Sequence, residues 1–165
     1  MSASQERGFE PATGDGPAAA SEAAAVRAGE VRTAFEGLLQ IRRLTCAGDA
    51  NPEAVPASWE LHRPQRAVAL ALEAAGIAAS AVGPSGERTA TGYRVCEGEA
   101  PGSVRVEWAG PPGSGAAHHE EEALARCVTV LRRLGWTALL YRGPRRRRFI
   151  EVEPPPKARS GGGPP

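Results

Sequence analysis

The stretch Ser103-Val104-Arg105-Val106-Glu107-Trp108 alternates apolar with charged side chains, and the stretch 118–134 beyond the next Gly/Pro-rich break does not. In the first, Val104, Val106 and Trp108 share one face while Arg105 and Glu107 share the other, the period-two pattern of a strand wetted on one side. In the second, Leu124, Cys127, Val128, Leu131 and Leu134 recur at helical spacing, and Glu122 precedes Arg126 by one turn. That pattern predicts an amphipathic helix ended by Gly135. A half-wet strand followed by a one-sided helix points to helices laid on a single face of an antiparallel sheet.

Working outward, residues 136–141 and 149–153 read as a hairpin across 143–148. Upstream, 91–97 is a second strand, with Tyr93 and Val95 on one face, and 77–82 is a third, weakened by its alanines. Pro64 suits the first position of a helix, where its missing N–H is harmless. The helix runs through Val68, Leu70 and Leu72 to a left-handed cap at Gly76. The expected fold is therefore α+β: a mainly antiparallel sheet of about five strands with two helices on one face, in the order α-β-β-β-α-β-β. Residues 72–84 and 131–144 share a faint repeat: helix end, glycine, strand, then Gly83-Pro84 or Gly143-Pro144.

Before this 58–153 domain, residues 22–47 carry an amphipathic helix over 22–44, with Val31, Phe35, Leu38 and Ile41 at helical spacing. A Pro-containing loop tethers it, so it reads as a docking helix whose face Val31, Phe35 and Leu38 could meet a partner. Residues 1–20 and 154–165 are rich in Gly, Ala, Pro, Ser and charge. They hold too little apolar surface to offset the entropy of ordering, and are expected to be disordered tails.

The 165 residues carry a formal charge of +1, with Lys157 the only lysine among twenty basic residues. That bias, with abundant Ala, Gly and Pro, fits a GC-rich bacterial genome, and it weakens any inference from arginine number alone. Cys46, Cys96 and Cys127 are scattered and form no zinc spacing, as expected of free thiols in a reducing compartment. With neither a signal-peptide pattern nor a membrane-length apolar run, the chain is expected to be cytoplasmic and away from membranes.

The order helix–three strands–helix over 64–134 is similar in topology to the double-stranded RNA-binding domain. That family opens its second helix with basic residues that meet phosphates. This chain has His118-His119-Glu120-Glu121-Glu122 there, so RNA binding of that kind is not expected. Extended through 153, the order also resembles the secretion-chaperone-like fold, which implies dimerisation or the holding of partner polypeptides. The final helix of that fold has no counterpart in the Pro/Gly stretch 154–165.

The densest local feature is Arg145-Arg146-Arg147-Arg148, with Arg142 just before it and Tyr141 and Phe149 flanking. These guanidiniums form an array suited to phosphate or carboxylate, beside a stacking surface. An opposite pole spans 97–122, with six glutamates against Arg105, so the two could meet within one molecule or between two. His118 and Glu122 lie one turn apart, but no third ligand falls at metal spacing and no His-Glu-x-x-His pattern occurs. Ser85 and Ser103 lack a nucleophile elbow, and Gly83-Pro84-Ser85-Gly86 lacks the Gly-Lys-Ser/Thr of a phosphate loop. No catalytic, cofactor-binding or metal-ligating set is read. The expected role is a non-enzymatic accessory protein that binds another polypeptide or itself. The alternative is a nucleic-acid-binding protein that contacts phosphates through the arginine hairpin.

Overall fold

The computed structural model describes residues 9–18 and 20–156. After a 3₁₀ turn at Ser21–Ala23, helix α1 spans Ala24–Thr45. A second 3₁₀ turn at Pro52–Ala54 leads into the short α2 (Ser58–His62) and then α3 (Pro64–Ala74), with Pro64 at the first position. Strands β1 (Ala81–Val82), β2 (Arg88–Ala90), β3 (Gly92–Glu97) and β4 (Val104–Ala109) follow. Helix α4 (Ala116–Arg133) and strands β5 (Thr137–Arg142) and β6 (Arg148–Glu153) complete the described chain.

The principal sheet is antiparallel, in the order β3-β4-β6-β5, while β1 and β2 form a separate two-stranded ribbon. The α+β class stands, with α3 and α4 together on one sheet face. The strands divide differently from the expected single sheet. The alanine- and serine-rich 77–82 supplies only the two-residue β1, and its Ala78–Ser80 portion instead lies beside β3. There Ser80 N–H donates to Tyr93 and Tyr93 N–H to Ala78.

Alternation decides the core. Tyr93, Val95, Val104, Val106, Ala138, Ile150 and Val152 point from the sheet into a buried cluster with Val68, Leu72, Leu124, Cys127 and Leu131. The other sheet face carries Arg94, Arg105, Glu107, Phe149, Glu151, Leu139 and Tyr141, none of them buried. Arg105 bridges Glu151 at 3.2 Å and lies 4.0 Å over the Phe149 ring, which stacks with Tyr141.

The repeat is visible as matched hydrogen bonding. Gly76 N–H donates to Glu73 and Ile77 N–H to Leu72; Gly135 donates to Arg132 and Trp136 to Leu131. Both are Schellman caps with the glycine in the left-handed region, at φ 80° and 88°. Both Gly-Pro turns also close alike, Gly83 N–H on Glu87 and Gly143 N–H on Arg147. The segments diverge in what they pair with. Apolar, β-prone 137–142 joins the principal sheet, and 77–82 does not.

Two expectations are corrected. Residues 9–18 are no loose tail but a strap across α1, α3 and β3. Val95 N–H donates to Thr13 O, Tyr93 Oη–H to Ala12 O, and Val82 N–H to Gly16 O. Four arginines fasten it: Arg66 to Glu10 and Phe9 O, Arg27 to Glu10 O, Arg88 to Gly14 O and Asp15, and Arg94 to Asp15. Composition suggested disorder because these partners lie far along the chain. Of the two expected tails, residues 1–8, 19 and 157–165 lie outside the described residues.

The second correction concerns α1. Val31 and Leu38 are buried against Leu70 of α3, with Phe35 beside them, so the expected partner-contact face is satisfied within the chain. A fully buried ion pair locks that docking. Arg42 Nε and Nη2 reach the Glu60 carboxylate at 2.8 and 2.6 Å, and Nη1 donates to the carbonyls of Glu53 and Leu134 at 2.6 Å. Glu60 also accepts the Ala57 N–H.

Candidate interaction edge and basic groove

The sheet has two edges, and they differ. The β3 edge is covered by Ala78–Ser80 and by the strap. No described strand lies on the outer side of β5. Its sequence, Thr-Ala-Leu-Leu-Tyr-Arg, has no acidic residue and one charge, at its end. Leu139, Leu140 and Tyr141 are exposed to 45, 40 and 44 %, the only large apolar residues so exposed among the described sheet strands. An edge this apolar is a template for strand pairing.

The hairpin fixes which backbone groups face out. Gly143 N–H bonds Arg147 C=O, and the ladder continues from Arg142 opposite Arg148 to Thr137 opposite Glu153. Antiparallel pairs alternate between bonded and non-bonded, so 137, 139 and 141 bond to β6. Ala138, Leu140 and Arg142 therefore turn their N–H and C=O outward. The Ala138 carbonyl shows it, because Arg132 Nε donates to that oxygen at 3.1 Å.

The arginine hairpin closes over the N-terminal end of α4. A groove of about 1090 Å³ lies between it and the loop 110–115, lined by Arg142, Arg145, Arg147, Arg148, Trp108 and His118 among others. Arg148 is drawn inward: its N–H donates to the buried Glu120 carboxylate and its guanidinium meets Glu121 at 3.3 Å. The acidic and basic poles thus meet within one molecule at this point, which removes Arg148 from the candidate anion contacts. Arg142, Arg145 and Arg147 are exposed and make no ion pair among the described residues. Arg146 lies in the turn, and the position of its side chain is outside the described structure.

The remaining candidates are dispersed. His118 and Glu122 are exposed, while Cys127 points into the core and its thiol is pushed up by burial to about 12. Burial also raises the Cys96 thiol, on the bare sheet face. Tyr93 ionises far less readily than a free phenol because it is buried, with nearby Glu73 adding to the effect. These shifts belong to packed core and sheet groups and converge on no cleft. A second hollow of about 1070 Å³ lies between the strap, α1 and 73–81, and half of its lining residues are Ala or Gly. The described residues contain no cluster of three metal-ligating side chains and no helix long and apolar enough to cross a membrane. Comparison with protein-family models, with curated proteins and with solved structures finds no match.

The residues that now matter most, Leu139, Leu140 and Arg132, were not singled out by sequence reasoning. The available signal was the run 137–141 without a charge, which an edge strand would ordinarily carry.

Proposed function

We propose that this chain is a non-enzymatic accessory protein of the cytoplasm that binds another polypeptide by accepting it as an added strand along β5. One observation carries the reading: β5 presents outward backbone groups and exposed Leu139, Leu140 and Tyr141 while the opposite edge of the same sheet is covered. In strand addition, main-chain hydrogen bonds supply affinity and alternate side chains supply selection. The test is a titration of the isotope-labelled chain with a neutral extended peptide, Thr-Gln-Val-Val-Val-Gln-Thr. Shifted amide signals confined to 138–142 and their β6 neighbours are expected, and shifts spread over α1 or absent altogether would refute it.

A second reading has its own support in the unpaired guanidiniums of Arg142, Arg145 and Arg147 around one groove. They could take phosphate groups of a nucleic acid, with Tyr141 and Phe149 stacked close by. Affinity for a single-stranded oligonucleotide should then fall steeply with salt. An unchanged affinity when all three become serine removes this reading.

A further inference from the structure

We infer that the strand accepted by β5 is an acidic one, carrying two carboxylates four residues apart with apolar residues between them; this rests on the strand-addition reading. Ala138, Leu140 and Arg142 share the helix-side face of β5, since Ala138 is buried beneath α4 and side chains alternate. Arg132 reaches the outer side of Ala138 from the last turn of α4, so a cation stands at that end of the edge. Arg142 supplies another at the opposite end. Four residues of strand separate the two positions by about 13 Å. Leu140 lies midway on the same face, and Leu139 and Tyr141 occupy the reverse face.

An added strand in register with this edge meets positive charge at its first and fifth residues and apolar side chains at the three between. Acidic–apolar–apolar–apolar–acidic is the complementary pattern. A second copy of β5 does not have it. A two-fold register that sets Leu140 opposite Leu140 of the other copy sets Arg142 opposite Ala138. Arg142 would then face the partner copy's Arg132 on the same side of the sheet, cation against cation, and like charges directly opposed disfavour pairing. Arg132 thus disfavours that self-pairing register and selects a carboxylate.

The test compares three capped peptides on the full chain: Thr-Glu-Val-Val-Val-Glu-Thr, its Gln form and its Lys form. The Glu peptide should bind about tenfold tighter than the Gln form at low salt, the gap narrowing as screening grows, with the Lys form weakest. Replacing Arg132 and Arg142 together by Gln should erase the Glu-over-Gln preference and leave binding of the Gln form in place. Leu140→Pro removes an outward N–H without breaking the β6 ladder, and should abolish binding of all three. Equal affinity for the three peptides overturns the acidic preference and leaves strand addition standing. Failure of all three to shift amides 138–142 overturns both. Glu-peptide binding that survives Leu140→Pro in a variant of unchanged melting temperature places the carboxylate site off the edge, and also overturns the inference.

Discussion

Arg42 and Glu60 form the single most demanding contact in the molecule, because both charges are removed from water and held by two parallel hydrogen bonds. Losing one partner leaves the other buried and uncompensated. Arg42→Met should therefore cost about 3–5 kcal/mol in urea denaturation, and adding Glu60→Leu should recover most of it. Arg42→Lys should behave more like the loss than like a conservative change, since lysine lacks the planar fork and cannot also reach the Glu53 and Leu134 carbonyls. Nothing in the local pattern marks Arg42. It sits among many arginines on a helix with Gly29 and Gly37, and its partner lies 18 residues on. Cys127, by contrast, is legible as a core residue from its place on the apolar stripe of α4. Burial raises its thiol from the ordinary 9.0 to about 12. Below about pH 9 the thiol is protonated in folded and unfolded chains alike. Above that the unfolded thiol ionises first, so stability should decline as pH climbs towards 12. Thermal melts across that range should show a shallower decline for Cys127→Val.

At the scale of elements, strong periodicity was a sufficient guide where one face is core and the other is not. β4 and α4 were legible because Val104 with Val106, and Leu124 with Leu131, alternate against charge, and the β5–β6 hairpin because apolar-rich runs flank Gly143-Pro144. The 77–82 segment was not, because alanine packs in either setting and its partner, β3, is chosen by tertiary approach. The strap was the least legible element. Gly14 shows why it fits: a Cβ there would stand 2.3 Å from the Tyr93 carbonyl oxygen, and its φ is +96°. Gly14→Ala should lift the strap off β3, costing about 1–3 kcal/mol. Hydrogen exchange should report the change as faster exchange of the Val95 amide, whose bond to Thr13 would be lost.

Across the whole molecule, charge is spent unevenly. Arg27, Arg66, Arg88 and Arg94 fasten the strap and Arg42 is held in the core, so an arginine-rich sequence does not by itself make a polyanion-binding surface. The hairpin leaves Arg142, Arg145 and Arg147 facing outward, and other exposed arginines such as Arg32, Arg63 and Arg126 stand singly on the helices and loops. If Arg132 keeps two copies apart, reversing its sign should bring them together. Arg132→Glu would place a carboxylate where Arg142 of a second copy arrives, and sedimentation should show dimers that dissociate as salt is raised. The sequence carried the arginine cluster openly. It did not show which members are engaged, because Glu120 and Glu121 claim Arg148 only once α4 and the hairpin are folded together.

The unequal borders of the sheet also limit stoichiometry. A ribbon that can be joined at only one side takes a single guest and then offers that guest's far side alone for any further growth. With the other border already occupied by the chain's own strap, molecules of this protein cannot add to one another through their sheets beyond a pair. An indefinite fibre of this protein built by strand addition would require the strap to let go first.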